Sequence, residues 1–105
     1  MASFTVNERE YFKLRWTVLD EDAAASVPRS MRYRIVCDTT SKELVGWTDV
    51  ALNATTTLTI PSSVNAIQQT ANLRETKTIT VDTNYEDDDR VPAEYSWDVR
   101  NLSGL

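Results

Sequence analysis

Apolar and polar residues alternate along most of this chain with a period of two, which is the pattern of extended strands buried on one face. In Tyr11–Val18, Phe12, Leu14, Trp16 and Val18 share one face, and Lys13, Arg15 and Thr17 share the other. Trp16 is the largest apolar surface in that set and brings an indole N–H that needs a partner. This strand is expected to form the floor of a small sandwich. Ser3–Val6 is a short first strand with Phe4 and Val6 on one side, placed at an edge. Ser30–Asp38 alternates again, with Met31, Tyr33, Ile35 and Cys37 inward and Arg32, Arg34, Val36 and Asp38 outward. Glu43–Val50 is a further short strand, in which Gly46 signals a bulge or an edge.

The second half repeats the pattern. Thr56, Leu58 and Ile60 form the inner face of a strand over Thr55–Ile60 that Pro61 ends. Ser62 is placed as an N-cap, and Val64 and Ile67 have the i, i+3 spacing of one short helical turn near 62–68. Glu75–Tyr85 is a long strand with Ile79 and Val81 inward and Lys77 and Tyr85 at the same parity. In the last strand Ala93, Tyr95, Trp97 and Val99 are expected to face in, and Glu94, Ser96, Asp98 and Arg100 out. The strands at 75–85 and 93–100 form a long hairpin tipped by Glu86-Asp87-Asp88-Asp89. Seven short strands punctuated by turn residues predict a single all-β domain over 1–105, an antiparallel sandwich.

Composition narrows the function classes. The 105 residues have room for one core, and an apolar fraction of 41% is enough to fill it. The net charge of −5, without a Lys/Arg cluster, lacks the electrostatic footprint of a nucleic-acid binder. No stretch approaches the ~20 apolar residues of a membrane span. Met1–Phe4 has neither the basic start nor the apolar run of a secretory signal, so folding in a reducing cytoplasm is expected. On that ground the sequons Asn53-Ala54-Thr55 and Asn101-Leu102-Ser103 are read as chance matches.

Candidate chemistry is sparse. The chain has no His, which removes Ser-His-Asp and Cys-His nucleophiles and histidine-ligated zinc. The single Cys37 falls on an inward face, where a thiol behaves as a small hydrophobe. Two glycines cannot build a phosphate-cradling loop. Asp87, Asp88 and Asp89 offer carboxylates to a divalent ion but lack the spaced calcium-loop pattern, so a solvated tip is the competing reading. Trp47 either packs over the sandwich rim or stands exposed as a contact residue. No catalytic activity and no cofactor are expected. Trp47, Asp87, Asp88, Asp89 and Phe4 are the candidate partner contacts. The acidic segments at 20–22 and 86–89 suit a basic neighbour, and short outer strands suit edge-strand addition.

Trp16 in L-R-W-T-V and Tyr33 in Y-R-I-V resemble the core positions of immunoglobulin-like, fibronectin type III-like modules, although Glu75–Ile79 carries no corner tyrosine. That arrangement implies neighbouring positions for the third and the two late strands. Arg32 and Arg34 would then face Asp82, Glu94 and Asp98 across one sheet. The segments S-F-T-V-x-E at 3–8, L-R-W-T at 14–17, R-Y-R-I-x-C at 32–37 and G-W-T at 46–48 resemble small structural proteins of tailed bacteriophages and prophages. So do I-P-S-S-V-N-A-I at 60–67 and Y-S-W-D-V-R-N-L at 95–102. The resemblance implies a virion component without a cofactor: a multi-copy cement, decoration or head-tail adaptor subunit, made in the bacterial cytoplasm. Its expected partners are capsid, neck or tail subunits and copies of itself, with no nucleic acid and no membrane. The alternative is a module on the particle that binds carbohydrate or a host surface, which a flat cluster of exposed aromatics would favour.

Overall fold

The computed structural model describes residues 4–19, Ala24, 27–84 and 90–102. These residues contain seven strands: β1 (Thr5–Asn7), β2 (Phe12–Thr17), β3 (Ser30–Cys37), β4 (Lys42–Asp49), β5 (Thr55–Ile60), β6 (Arg74–Asn84) and β7 (Arg90–Arg100). They form a five-stranded sheet in the order β1-β7-β6-β3-β4 and a two-stranded sheet, β2-β5. Val18, Trp16 and Ile60 from the smaller sheet meet Met31, Ile35, Ile79, Val81, Trp97 and Val99 from the larger one in a single core. The alternation expected for Tyr11–Val18, Ser30–Asp38 and Thr55–Ile60 is the observed one.

Four features depart from the sequence reading. β1 runs parallel to β7, with Val6 opposite Val99, so the sheet is mixed and not antiparallel throughout. The strand expected to be the floor, β2, lies in the smaller sheet, and the centre of the larger sheet is β6, flanked by β3 and β7. The segment 62–68 is not a helix: Val64, Asn65 and Ala66 donate to the carbonyls of Pro61, Ser62 and Ser63 in successive turns. Val64 is nonetheless buried and Ile67 packs against the core, so the spacing was read correctly and only the element was not.

The fourth departure lies in β7. Trp97 and Val99 are buried, but Ala93 and Tyr95 are exposed, Tyr95 by 39%. The reason is where the shorter sheet lies. β6 and β7 have 11 residues each, and β2 and β5 have 6. At about 3.3 Å per residue the hairpin runs roughly 36 Å under a lid of roughly 20 Å. Trp16 nonetheless reaches Met31, level with Thr83 and Val91, and Val81 and Thr83 on β6 are buried, so the smaller sheet covers that end of β3 and β6 and leaves the same end of β7 to one side.

Register explains the surface charges. Arg32 stands opposite Asp82 and binds it at 3.2 Å, as expected. Arg34 pairs across the strand with Thr80 and reaches Glu43 instead, at 3.8 Å. Asp98 accepts from Thr76 and lies 3.6 Å from Arg74, while Glu94 sits opposite Thr80. The larger sheet thus neutralises most of its own outer face. Asn101, the second sequon residue, is buried and donates its amide to the carbonyls of Thr70 and Asn72, so it is a structural tie.

Candidate functional site

Trp47 lies on β4 at one edge of the larger sheet. Opposite this segment, the β3–β4 register shifts between Tyr33 and Ile35 and again between Ile35 and Val36, because β4 carries extra residues at Gly46–Trp47 and at Leu44. The bulge expected from Gly46 is present. Such irregularities re-aim side chains and blunt an edge against pairing. Here they turn the indole over β3: the Arg32 guanidinium lies 4.2 Å from the ring centroid and that of Arg34 5.2 Å. Each cation is held by an acid, Arg32 by Asp82 and Arg34 by Glu43. A Cβ at position 46 would come within 3.2 Å of the Glu43 carboxylate, so glycine leaves that acid room to reach Arg34. The Arg34 Nε–H is buried without a hydrogen-bond partner, next to the ring face. Trp47 remains 42% exposed. The ring is therefore packed on one face against two cations of its own sheet and partly exposed on the other.

Phe4 has a different role. Its ring meets Phe12 edge-on at 5.1 Å and stacks over Trp97 at 6.4 Å, and Phe12 in turn meets Trp97 edge-on at 5.1 Å. Phe4 is the outer member of an aromatic plug that closes the core beside β1, with 39% of its surface exposed. Above it on the same side of β7 come Tyr95, Ala93 and Val91, all exposed. Trp47 and this stripe are at opposite edges of the larger sheet, so the exposed aromatics do not form one flat cluster. Asp87, Asp88 and Asp89 lie outside the described residues, as do the acids at 20–22. Among the described residues no group of three metal-ligating side chains is drawn together, and no helix is long and apolar enough to cross a membrane.

Sequence reasoning missed the buried ionic cluster. Glu75 and Lys77 share the inward parity of β6 and are both 0% exposed. Glu75 Oε1 accepts from Gln68 N–H at 2.8 Å and from Lys77 Nζ at 3.1 Å, with the Cys37 thiol at 3.8 Å. Oε2 accepts from Gln69 N–H at 2.9 Å and Asn72 Nδ2 at 3.1 Å. Lys77 also donates to the Ala66 carbonyl. Burial pushes the Glu75 carboxyl up, but the bonds from Gln68, Asn72, Gln69 and Lys77 outweigh it and hold the pKa at about 2. Beside them Asn65 accepts from the Trp97 indole at 2.7 Å, donates to the Glu10 carbonyl at 2.6 Å, and takes Arg9 N–H on its own carbonyl.

This cluster is a fastening. Its bonds tie the 61–73 connection to β6, to β7 and to the turn before β2, and the carboxylate is held ionised, the wrong state for a proton donor. Its signal was present in the sequence, as an acid and a base at i, i+2 on the inward parity of a strand. Cys37 is buried among the same groups, in agreement with its reading as a core residue.

Comparison of the chain with protein-family models, characterised proteins and solved structures gives no match.

Proposed function

We propose that this chain is a non-enzymatic docking subunit of immunoglobulin-like build, carried in many copies on a tailed-phage particle as a cement, decoration or head-tail adaptor protein. The observation that carries this reading is the Trp47 platform. A half-exposed indole is held over two guanidiniums, each fixed by its own carboxylate. Trp and Arg are the residues that most often dominate protein interfaces, and a pre-ordered side chain loses little entropy on docking. The virion setting rests on the sequence segments that resemble phage structural proteins. In the immunoglobulin-like reading β2 and β5 take positions B and E, and β3, β4, β6 and β7 take C, C′, F and G. The partners are neighbouring capsid, neck or tail subunits. The separation of Trp47 from Phe4 and Tyr95 gives no support to a flat carbohydrate platform.

Quantitative mass spectrometry of purified particles tests the proposal. The expected result is a fixed, multi-copy stoichiometry, lost on Trp47→Ala while the isolated domain keeps its melting temperature within a few degrees. Absence of the wild-type chain from finished particles overturns the reading. So does a Trp47→Ala subunit that still assembles at full occupancy.

A further inference from the structure

Among the described residues, the outer edge of β2 pairs with no strand and lies beside an exposed apolar stripe. Val18 N–H donates to the Ala54 carbonyl, which extends the register Thr17–Thr55, Trp16–Thr56 and Leu14–Leu58. In an antiparallel pair bonded positions alternate. The even-numbered residues of β2 therefore exchange bonds with β5, and Lys13, Arg15 and Thr17 turn their N–H and C=O groups the other way. No strand among the described residues lies there.

The position of this edge follows from three contacts. Phe12 touches Trp97 on β7. Trp16, at the other end of β2, donates its indole N–H to Met31 Sδ on β3, at 3.2 Å. Ile60, paired with Phe12, is fully buried, which puts β5 on the inner side of β2. β2 therefore starts over β7 and slants away from it. The widening gap leaves Val91, Ala93 and Tyr95 uncovered, with Val91 45% exposed.

We propose that an extended acidic–apolar segment of a neighbouring protein adds to the free edge of β2 as a third strand and covers Val91, Ala93 and Tyr95. The pattern of the occupant follows from the face it completes. Residues beside Leu14 and Trp16 point inward onto the stripe and are apolar. Residues beside Lys13 and Arg15 point to solvent and are acidic, because both cations are exposed and neither forms an ion pair with a described residue. Main-chain bonds supply the affinity and the alternating side chains the selectivity. The edges of the larger sheet are less suited. β4 is bulged, and on β7 Pro92 has the parity of Asp98, which donates to Phe4 on the outer side, so it offers no N–H there. The inference rests on the docking-subunit reading and names a second surface for it.

The test uses two end-capped heptapeptides of one composition. The first is Val-Glu-Val-Asp-Val-Glu-Val, and the second places the four valines before the three acids. Amide exchange is followed by NMR on the full chain. The alternating peptide is expected to slow exchange at Lys13, Arg15 and Thr17 by roughly tenfold or more, and the block-ordered peptide is not. Arg15→Pro, which removes an outward N–H, and Tyr95→Glu, which charges the exposed stripe, should each weaken binding about tenfold or more. Tyr95→Glu decides the matter if Arg15→Pro does not fold. Three results overturn the proposal: no protection at these amides, equal protection by both peptides, or protection at Glu94 instead. Protection that rises with protein concentration without peptide also overturns it, because the occupant is then a second copy. Particle composition is an independent readout: a chain missing from virions that still takes the alternating peptide removes the virion role and leaves the edge site standing.

Discussion

The two halves of β7 present the same strand face to different surroundings. Around Trp97 the face is closed by Phe12, Phe4 and the Asn65 amide, and on β6 directly beside it Lys77, with Glu75 two residues along, locks the 61–73 connection in place. Around Tyr95, two residues back, the face is open. Residue type does not separate them, since both carry a large aromatic with a polar handle. What separates them is whether the smaller sheet lies over that part of β7: Phe12 sits against Trp97, whereas Trp16, at the other end of β2, sits against Met31 on β3. The lesson is that alternation states which side of a strand is apolar, and the facing layer decides whether that side is core or contact surface.

The largest effect expected from this contrast is on Trp97. Trp97→Ala removes the centre of the closed half and leaves Asn65 without its indole donor. It should cost about 3–5 kcal/mol and lower the melting temperature by well over 10 °C, as roughly 4–8 °C per kcal/mol applies to domains near this size. A shift of only a few degrees in thermal unfolding would mean that the aromatic plug is not what seals the core.

Acid titration probes the fastening of the same half. The Glu75 carboxyl is held at about 2, below its ordinary 4.5. A carboxyl with a depressed folded-state pKa contributes stability that is fully present above its unfolded value and is lost as pH falls through the folded one. The loss is therefore expected between about pH 4.5 and pH 2 and amounts to about 3 kcal/mol. Denaturant melts across that window should show it, and Glu75→Gln should be less stable at neutral pH and flatter in acid. A wild-type profile no steeper than that of Glu75→Gln would mean that the carboxylate is not what holds the 61–73 connection.

The smallest effect is expected in the open half. Tyr95→Thr keeps strand propensity and removes an exposed ring, so its stability should stay within about 0.5 kcal/mol of wild type. A loss comparable to that of Trp97→Ala would show Tyr95 to be core and remove the exposed stripe on β7.

Much of this was legible in the sequence because it is local. Successive side chains of an extended strand point to opposite sides whatever the rest of the fold does. The inward sets Phe12–Leu14–Trp16–Val18 and Met31–Tyr33–Ile35–Cys37, the turn residues and the bulge at Gly46 could therefore be read directly. Trp47 was visible as a candidate, but its stacking on Arg32 and Arg34 was not, because it depends on two register shifts against β3. Glu75 was overlooked because an acid is ordinarily solvated. The backbone N–H groups of Gln68 and Gln69 and the Asn72 amide, brought in by a connection that crosses between sheets, together with Lys77 make its burial tolerable.

By itself, then, the amino-acid order determined that the domain is all-β, where its strands lie and, for most of them, which side is apolar. Tertiary structure alone decided that β1 joins β7 in parallel, that an acid and a base are enclosed together, and that the apolar side of β7 is half core and half surface. The physical reason is range. Periodicity is set by neighbouring residues, whereas burial is set by whichever distant strand arrives opposite, and where that strand lies is decided by contacts elsewhere in the chain.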